Sequence, residues 1–176
     1  MPASIPRRPA DRGPNRVELD ARLSAELLSA MAGARRRAAR DGDRQIDTAH
    51  LLHSLLESDQ DVRLVFDAAA LARLLGYLVQ RSIGYGLQWQ SAVEDSSGVP
   101  AVADAGWSPA AAFAMDAARK RSEKRGDSQA RGLDLLAALT TDSECRAVEV
   151  LGRAGVQVAD LETRIETAED GAPDDT

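Results

Sequence analysis

The sequence predicts an all-α fold built from one helical unit used twice. Three observations predict it. A run between Leu23 and Leu56 returns 84 positions later: Ser24 falls on Ser108, Met31 on Met115, Ala34 on Ala118, Gly42-Asp43 on Gly126-Asp127, Leu51-Leu52 on Leu135-Leu136 and Leu55 on Leu139. A fixed internal period dictates architecture before any other signal does. Within each copy apolar residues recur three and four apart, the spacing of one helix face. The chain is also rich in Ala and Leu and has only six aromatic residues, which favours helices packed closely through small side chains. At 176 residues it suits one domain, or two small halves sharing a core.

Residues 1–17 are Pro-rich and carry Arg7, Arg8, Arg12 and Arg16 with few apolar partners. Such a segment cannot bury enough surface to offset its ordering entropy, so it reads as a disordered basic arm. The functional alternative is a docking tail for an acidic partner. Residues 18–83 form the first unit. Ser24 is its N-cap, Leu27, Met31, Ala34 and Ala38 make the stripe, and Gly42 is the stop. Arg35, Arg36, Arg37 and Arg40 crowd the last turns, where cations suit the helix dipole. Thr48 can cap a second helix through His50, Leu51 and Leu55. On it His50, His53 and Glu57 can face one way, either as a metal trio or as packed and capping histidines. Asp61–Ala70 reads as a third short helix, and Leu71 to Val79 as a fourth ending near Gly84.

Residues 84–106 break the pattern with Gly84, Gly86, Gly98, Pro100 and Gly106 and read as a linker. Its Tyr85 and Trp89 either pin it to the helices or offer a partner contact. Residues 107–166 form the second unit. Ser108 as N-cap followed by Pro109 is a strong helix start. Ala111, Met115, Ala118 and Ser122 make the stripe, and Arg119, Lys120, Arg121, Lys124 and Arg125 precede the Gly126 stop. Leu133, Leu135, Leu136 and Leu139 supply the next helix, Ala147, Val148, Val150 and Leu151 another, and Val158, Leu161 and Ile165 the last. From Glu166 the chain turns acidic, and 167–176 reads as a fraying acidic tail.

Composition narrows function. The net charge of −6 opposes nucleic acid or an anionic membrane as the main partner. The lone Cys145 excludes an internal disulfide and fits a reducing cytosol, so the expected location is cytoplasmic. No apolar run approaches the roughly 20 residues of a membrane span, and no apolar h-region follows the N-terminal arginines. Catalysis needs a nucleophile, a base within reach and an orienting group. Cys145 stands alone and both histidines lie in one helix, so no enzyme and no cofactor are expected.

The motifs Ile46-Asp47-Thr48-Ala49-His50-Leu51-Leu52, Trp107-Ser108-Pro109 and Val150-Leu151-Gly152-Arg153-Ala154-Gly155-Val156 resemble the double Clp N-terminal repeat of ClpA/ClpB/ClpC-type unfoldases, the ClpC kind most of all. The resemblance covers about residues 18–166. It implies two four-helix repeats related by pseudo-twofold symmetry. It also implies a protein-binding module whose partners are Clp protease components, adaptors or client peptides, with cyclic-peptide antibiotics such as cyclomarin as further ligands. No G-x-x-x-x-G-K-[ST] loop occurs in the sequence, so the expectation is such a domain without ATPase modules. In ClpC-type domains phosphoarginine binds through a Thr and a Glu of each repeat. Ser24 and Ser108 keep the hydroxyl, while Ala49 and Leu133 replace the two carboxylates. Trp107 stands at the aromatic position of the cyclic-peptide surface and Ala112 at that of its lysine. The implied ligand- or partner-binding residues are therefore Ser24, Ser108 and Trp107, with Arg35 and Arg119 as cationic anchors. The alternative from another class is a helical DNA-associated regulator using Arg35–Arg37 and Arg119–Arg125.

Overall fold

Ser and Gly punctuate the first helix of each half in the same way. In the computed structural model, which describes residues 20–82 and 106–171, α1 spans Ala25–Asp41, and α5, 84 positions on, spans Pro109–Arg125. The Ser24 hydroxyl accepts from the Leu27 N–H and the Ser108 hydroxyl from the Ala111 N–H, both at 3.1 Å. Each helix ends on a left-handed glycine, Gly42 at φ 69° and Gly126 at φ 79°. Nothing lies within 4 Å of where their Cβ atoms would sit, so backbone conformation alone selects glycine there.

The remaining helices are α2 (Thr48–Ser58), α3 (Gln60–Leu64), α4 (Ala68–Ser82), α6 (Gly132–Thr140), α7 (Arg146–Arg153) and α8 (Val158–Asp170). Among the described residues no strand occurs, and the all-α expectation holds. Every residue from Thr48 to Leu56 is buried, so α2 is enclosed on all sides; α6 is its counterpart. Outer helix α1 packs on α2 through Leu27, Ala30, Ala34 and Ala38, and α5 on α6 through Ala111, Ala114 and Ala118. The small side chains let the axes approach, and Gly33 brings its backbone against Ser54.

Two short parallel bridges join the halves, and they are reciprocal. Leu23 pairs with Ala130, and Ile46 with Trp107. The Ser24 N–H donates to Ala130 O at 2.8 Å and the Ser108 N–H to Ile46 O at 2.9 Å. The Ala130 N–H donates to Arg22 O at 2.8 Å and the Ile46 N–H to Gly106 O at 2.6 Å. Adding 84 to one partner of each bond and subtracting it from the other turns the first bridge into the second, which is the pseudo-twofold relation expressed in hydrogen bonds. Helices α3 and α6 also meet across the halves. A Cβ on Gly132, the first residue of α6, would lie 2.1 Å from Asp59 Oδ2, so only glycine admits this approach.

Several expected boundaries move. Asp47, not Thr48, caps α2. The helix expected over Asp61–Ala70 divides, because the Asp67 carboxylate accepts from the Ala70 N–H at 2.7 Å and opens α4 there. The last helix continues past Glu166 to Asp170, so residues 167–170 are helix rather than tail. The arm and most of the linker, with Tyr85 and Trp89, lie outside the described residues.

Candidate protein-binding surface

The sequence-predicted site residues fall into two pairs, with Arg119 apart from both. Ser24 and Ser108 are buried, and their hydroxyls serve as helix caps. Trp107 and Arg35, from opposite halves, come together: the Arg35 guanidinium carbon lies 5.2 Å from the Trp107 ring centre. Such a stacked cation is worth about 0.5–1 kcal/mol. Trp107 is only 2% exposed, so it does not offer the aromatic face expected of it; the exposed partner of the pair is Arg35. Arg119 is Arg35's counterpart 84 residues on and lies 3.6 Å from Asp116.

The second basic cluster is largely paired with acids, the first only at Arg37. Arg37 pairs closely with Glu57. Arg121 and Arg125 converge on the fully buried Asp134, at 3.0 and 2.5 Å, and on Glu169, at 2.5 and 3.0 Å. Lys120 reaches Asp116 at 2.9 Å. Arg36, Arg40 and Lys124 have no acidic partner among the described residues. Arg35, which meets Trp107 and no acid among the described residues, is a fourth, and with Arg36 and Arg40 it lies in the last turns of α1, so the first cluster keeps most of its positive charge.

The residues that local reading missed form a buried polar cluster where the halves meet. Asp47 accepts the His50 N–H at 2.9 Å, and its own N–H donates to His50 Nδ1 at 3.0 Å, a capping box. The proton is therefore on Nε2, which donates to Asp43 at 2.7 Å. On its other oxygen Asp47 receives Arg81 from α4 and Arg146 from α7, the latter at 2.8 Å. Burial pushes the Asp47 carboxyl up, but the His50 hydrogen bonds and the Arg81 charge together hold it well below the carboxylate range. The Asp47 carboxylate stays ionised and ties both halves together. Asp-x-x-His before an apolar run was the available local signal; the arginines carried none.

Of the two readings of His50, His53 and Glu57, the packed and capping one fits the structure, and the three do not converge. His50 is turned to Asp43 and Asp47, while His53 Nε2 lies 3.5 Å from Glu57. Burial, and then the Arg37 charge, lower His53 to about 4, so it is neutral at pH 7. Asp41, Asp43 and His50 bring ligand-type atoms within 4.8 Å of one another, but the Arg81 guanidinium, 3.8 Å from Asp43, already places a cation beside them. Cys145 is 1% exposed, and its thiol donates to Leu139 O at 3.4 Å.

No protein-family model matches the chain. Over 145 residues it is 31% identical to the chaperone protein ClpB of Rhodopseudomonas palustris. That alignment covers 79% of this chain and 15% of the relative, so the chain spans a small part of the curated protein it matches. The solved N-terminal domain of the chaperone ClpD from Arabidopsis thaliana superposes with a TM-score of 0.64 at 21% identity, covering 85% of this chain and 96% of that one. The Hsp104 N-terminal domain from Candida albicans gives 0.66 at 15% identity, covering 85% and 93%. The chain folds as a Clp N-terminal domain. Two features separate this Clp N-terminal domain from the pattern its motifs resemble. The buried, apolar Ala49 and Leu133 stand at the two carboxylate positions, and Arg35 covers the aromatic residue at the start of the second repeat. Among the described residues no helix is long and apolar enough to cross a membrane.

Proposed function

We propose that the chain is a non-catalytic receptor module that binds client segments, adaptors or peptide-like ligands. On this reading it modulates a Clp protease by competing for them with the unfoldase's own N-terminal domain. The observation that carries the proposal is the superposition on two Clp-type N-terminal domains over nearly their whole lengths. The net charge of −6 disfavours the DNA-associated alternative. Ala49 and Leu133 offer no carboxylate to a guanidinium, so phosphoarginine is not part of the proposal. A cyclic peptide of the cyclomarin type would have to displace Arg35 to reach the Trp107 ring.

The test is competition. Purified chain is added in excess to a reconstituted Clp unfoldase–protease degrading fluorescent casein, and its own binding to labelled casein is measured by anisotropy. The proposal expects casein binding and slowed degradation. A chain that neither binds casein nor changes the degradation rate refutes it.

A further inference from the structure

The duplication leaves one slot filled in the first repeat and open in the second. In the first, the slot between outer and inner helix is closed from both sides. His53 lies buried in it, Ser54 packs on Gly33, and the Arg37–Glu57 ion pair crosses it. Eighty-four residues on, these positions are Ala137, Ala138, Ala117, Arg121 and Thr141. Two alanines and a threonine replace the imidazole, the hydroxymethyl group and the carboxylate. Arg121, with no acid at Thr141 to meet, turns to Asp134 and Glu169. A cavity of about 530 Å³ remains between α5, α6 and α8, within the size range of small-ligand sites.

The walls of this cavity are chemically distinct. Ala117, Ala137 and Ile165 make an apolar floor. The α5 wall carries Lys120 and Lys124, the only lysines in the sequence. Lys120 is held by Asp116, whereas Lys124 has no ion pair among the described residues. The α8 wall carries Glu162 and Glu166, which also lack ion pairs among the described residues. Thr140 and Thr141 donate to carbonyls of their own helix at 2.7 Å and do not compete for a ligand. Phe113, 44% exposed, lies 4, 7 and 11 residues before Ala117, Lys120 and Lys124, so it continues the same face of α5 beyond the cavity.

We propose that this open slot docks a short peptide segment of a partner protein: a large apolar side chain on the floor, an acidic neighbour toward Lys124 and a basic one toward Glu162 and Glu166. The inference rests on the receptor reading and names the chemistry that one of its surfaces selects. The occupant supplies the bulk and the charge pair that His53, Arg37 and Glu57 supply internally in the first repeat.

The probe is a fluorescein-labelled peptide with the core Ser-Asp-Phe-Leu-Lys-Ser. Controls are the anchorless Ser-Asp-Ala-Ala-Lys-Ser and the uncharged Ser-Asn-Phe-Leu-Gln-Ser. Anisotropy with the full chain is expected to show the charged apolar peptide binding about tenfold or more tighter than either control. Ala137→His with Thr141→Glu, which installs the first repeat's filling, should weaken binding about tenfold. Lys124→Glu, at an exposed position, should do the same and serves if the filled variant does not fold. Amide shift changes should centre on α5, α6 and α8. Equal binding of all three peptides, binding untouched by Lys124→Glu, or shifts centred elsewhere overturns the proposal. If casein binds while the probe does not, the slot fails and the receptor reading stands; if the probe binds in the slot while casein neither binds nor is protected, the reverse holds.

Discussion

Gly132→Ala is the sharpest test of how the two halves are held. The new Cβ would sit 2.1 Å from Asp59 Oδ2, 2.9 Å from Asp59 Cγ and 3.0 Å from Val62 Cγ2. An unstrained contact needs about 3.5 Å, so something must move by more than an ångström. Asp59 is poorly placed to give way. It is buried, and its carboxylate caps α3, accepting from the Asp61 N–H at 3.0 Å and the Val62 N–H at 3.4 Å. Displacing it forfeits a cap worth about 1 kcal/mol, and overpacking adds roughly 1–3 kcal/mol. Replacing glycine in a helix returns at most about 1 kcal/mol. The expected net loss is about 1–3 kcal/mol, each kcal/mol lowering Tm by roughly 2–4 °C for a chain of this size. Urea unfolding followed by far-UV circular dichroism measures it. A double-mutant cycle with Asp59→Ala isolates the cause, since Gly132→Ala should cost less once the carboxylate is gone. A Gly132→Ala protein as stable as the parent, or one penalised equally in both backgrounds, would refute the close-approach argument.

Asp47→Ala should cost about 3–5 kcal/mol in urea unfolding, because it removes the α2 cap and the shared carboxylate of Arg81 and Arg146; Asp47→Asn, which keeps an acceptor, should cost less. His53 binds its proton less readily folded than unfolded, so its contribution is complete above pH 6.5 and is lost as pH falls toward about 4, by roughly 3 kcal/mol at most. A His53→Gln variant should flatten that limb, and an unchanged slope between those pH values would count against a buried neutral imidazole. Asp47, with its folded pKa depressed, adds a second loss that begins only below the ordinary carboxylate value of about 3.9. Glu169→Gln should cost less than about 1 kcal/mol but speed amide exchange in the last turn of α8, an effect that high salt should mimic.

What was legible in the sequence was local chemistry. Ser24 and Ser108 act on N–H groups three residues away, and Gly42 and Gly126 act on their own φ, so the caps, the stops and the 84-residue offset could be read directly. What was not legible depended on residues far along the chain. Asp47 and Thr48 are both cap formers; Asp47 also meets Arg81 and Arg146, 34 and 99 positions away. The acidic end of α8 looked like a tail because its stabilising arginines lie 48 and 44 residues earlier. Trp107 carries no local sign of burial, although the Leu23 at its counterpart position, also buried, hints that an apolar plug is needed there. The open slot was invisible for the opposite reason. It is a difference between two copies, and a repeat is legible only through what its copies share.

The reciprocal bridges have a consequence for how the chain can be cut. Each repeat completes the backbone pairing at the helix starts of the other, so a half on its own exposes the main-chain groups at Arg22, Ser24, Ile46 or at Gly106, Ser108, Ala130 that its partner normally meets. Severing the polypeptide between residues 83 and 105 should therefore yield fragments that recombine, or that pair with a second copy of themselves, rather than two independent folds. In architectural terms the protein is a two-chain dimer written on one chain.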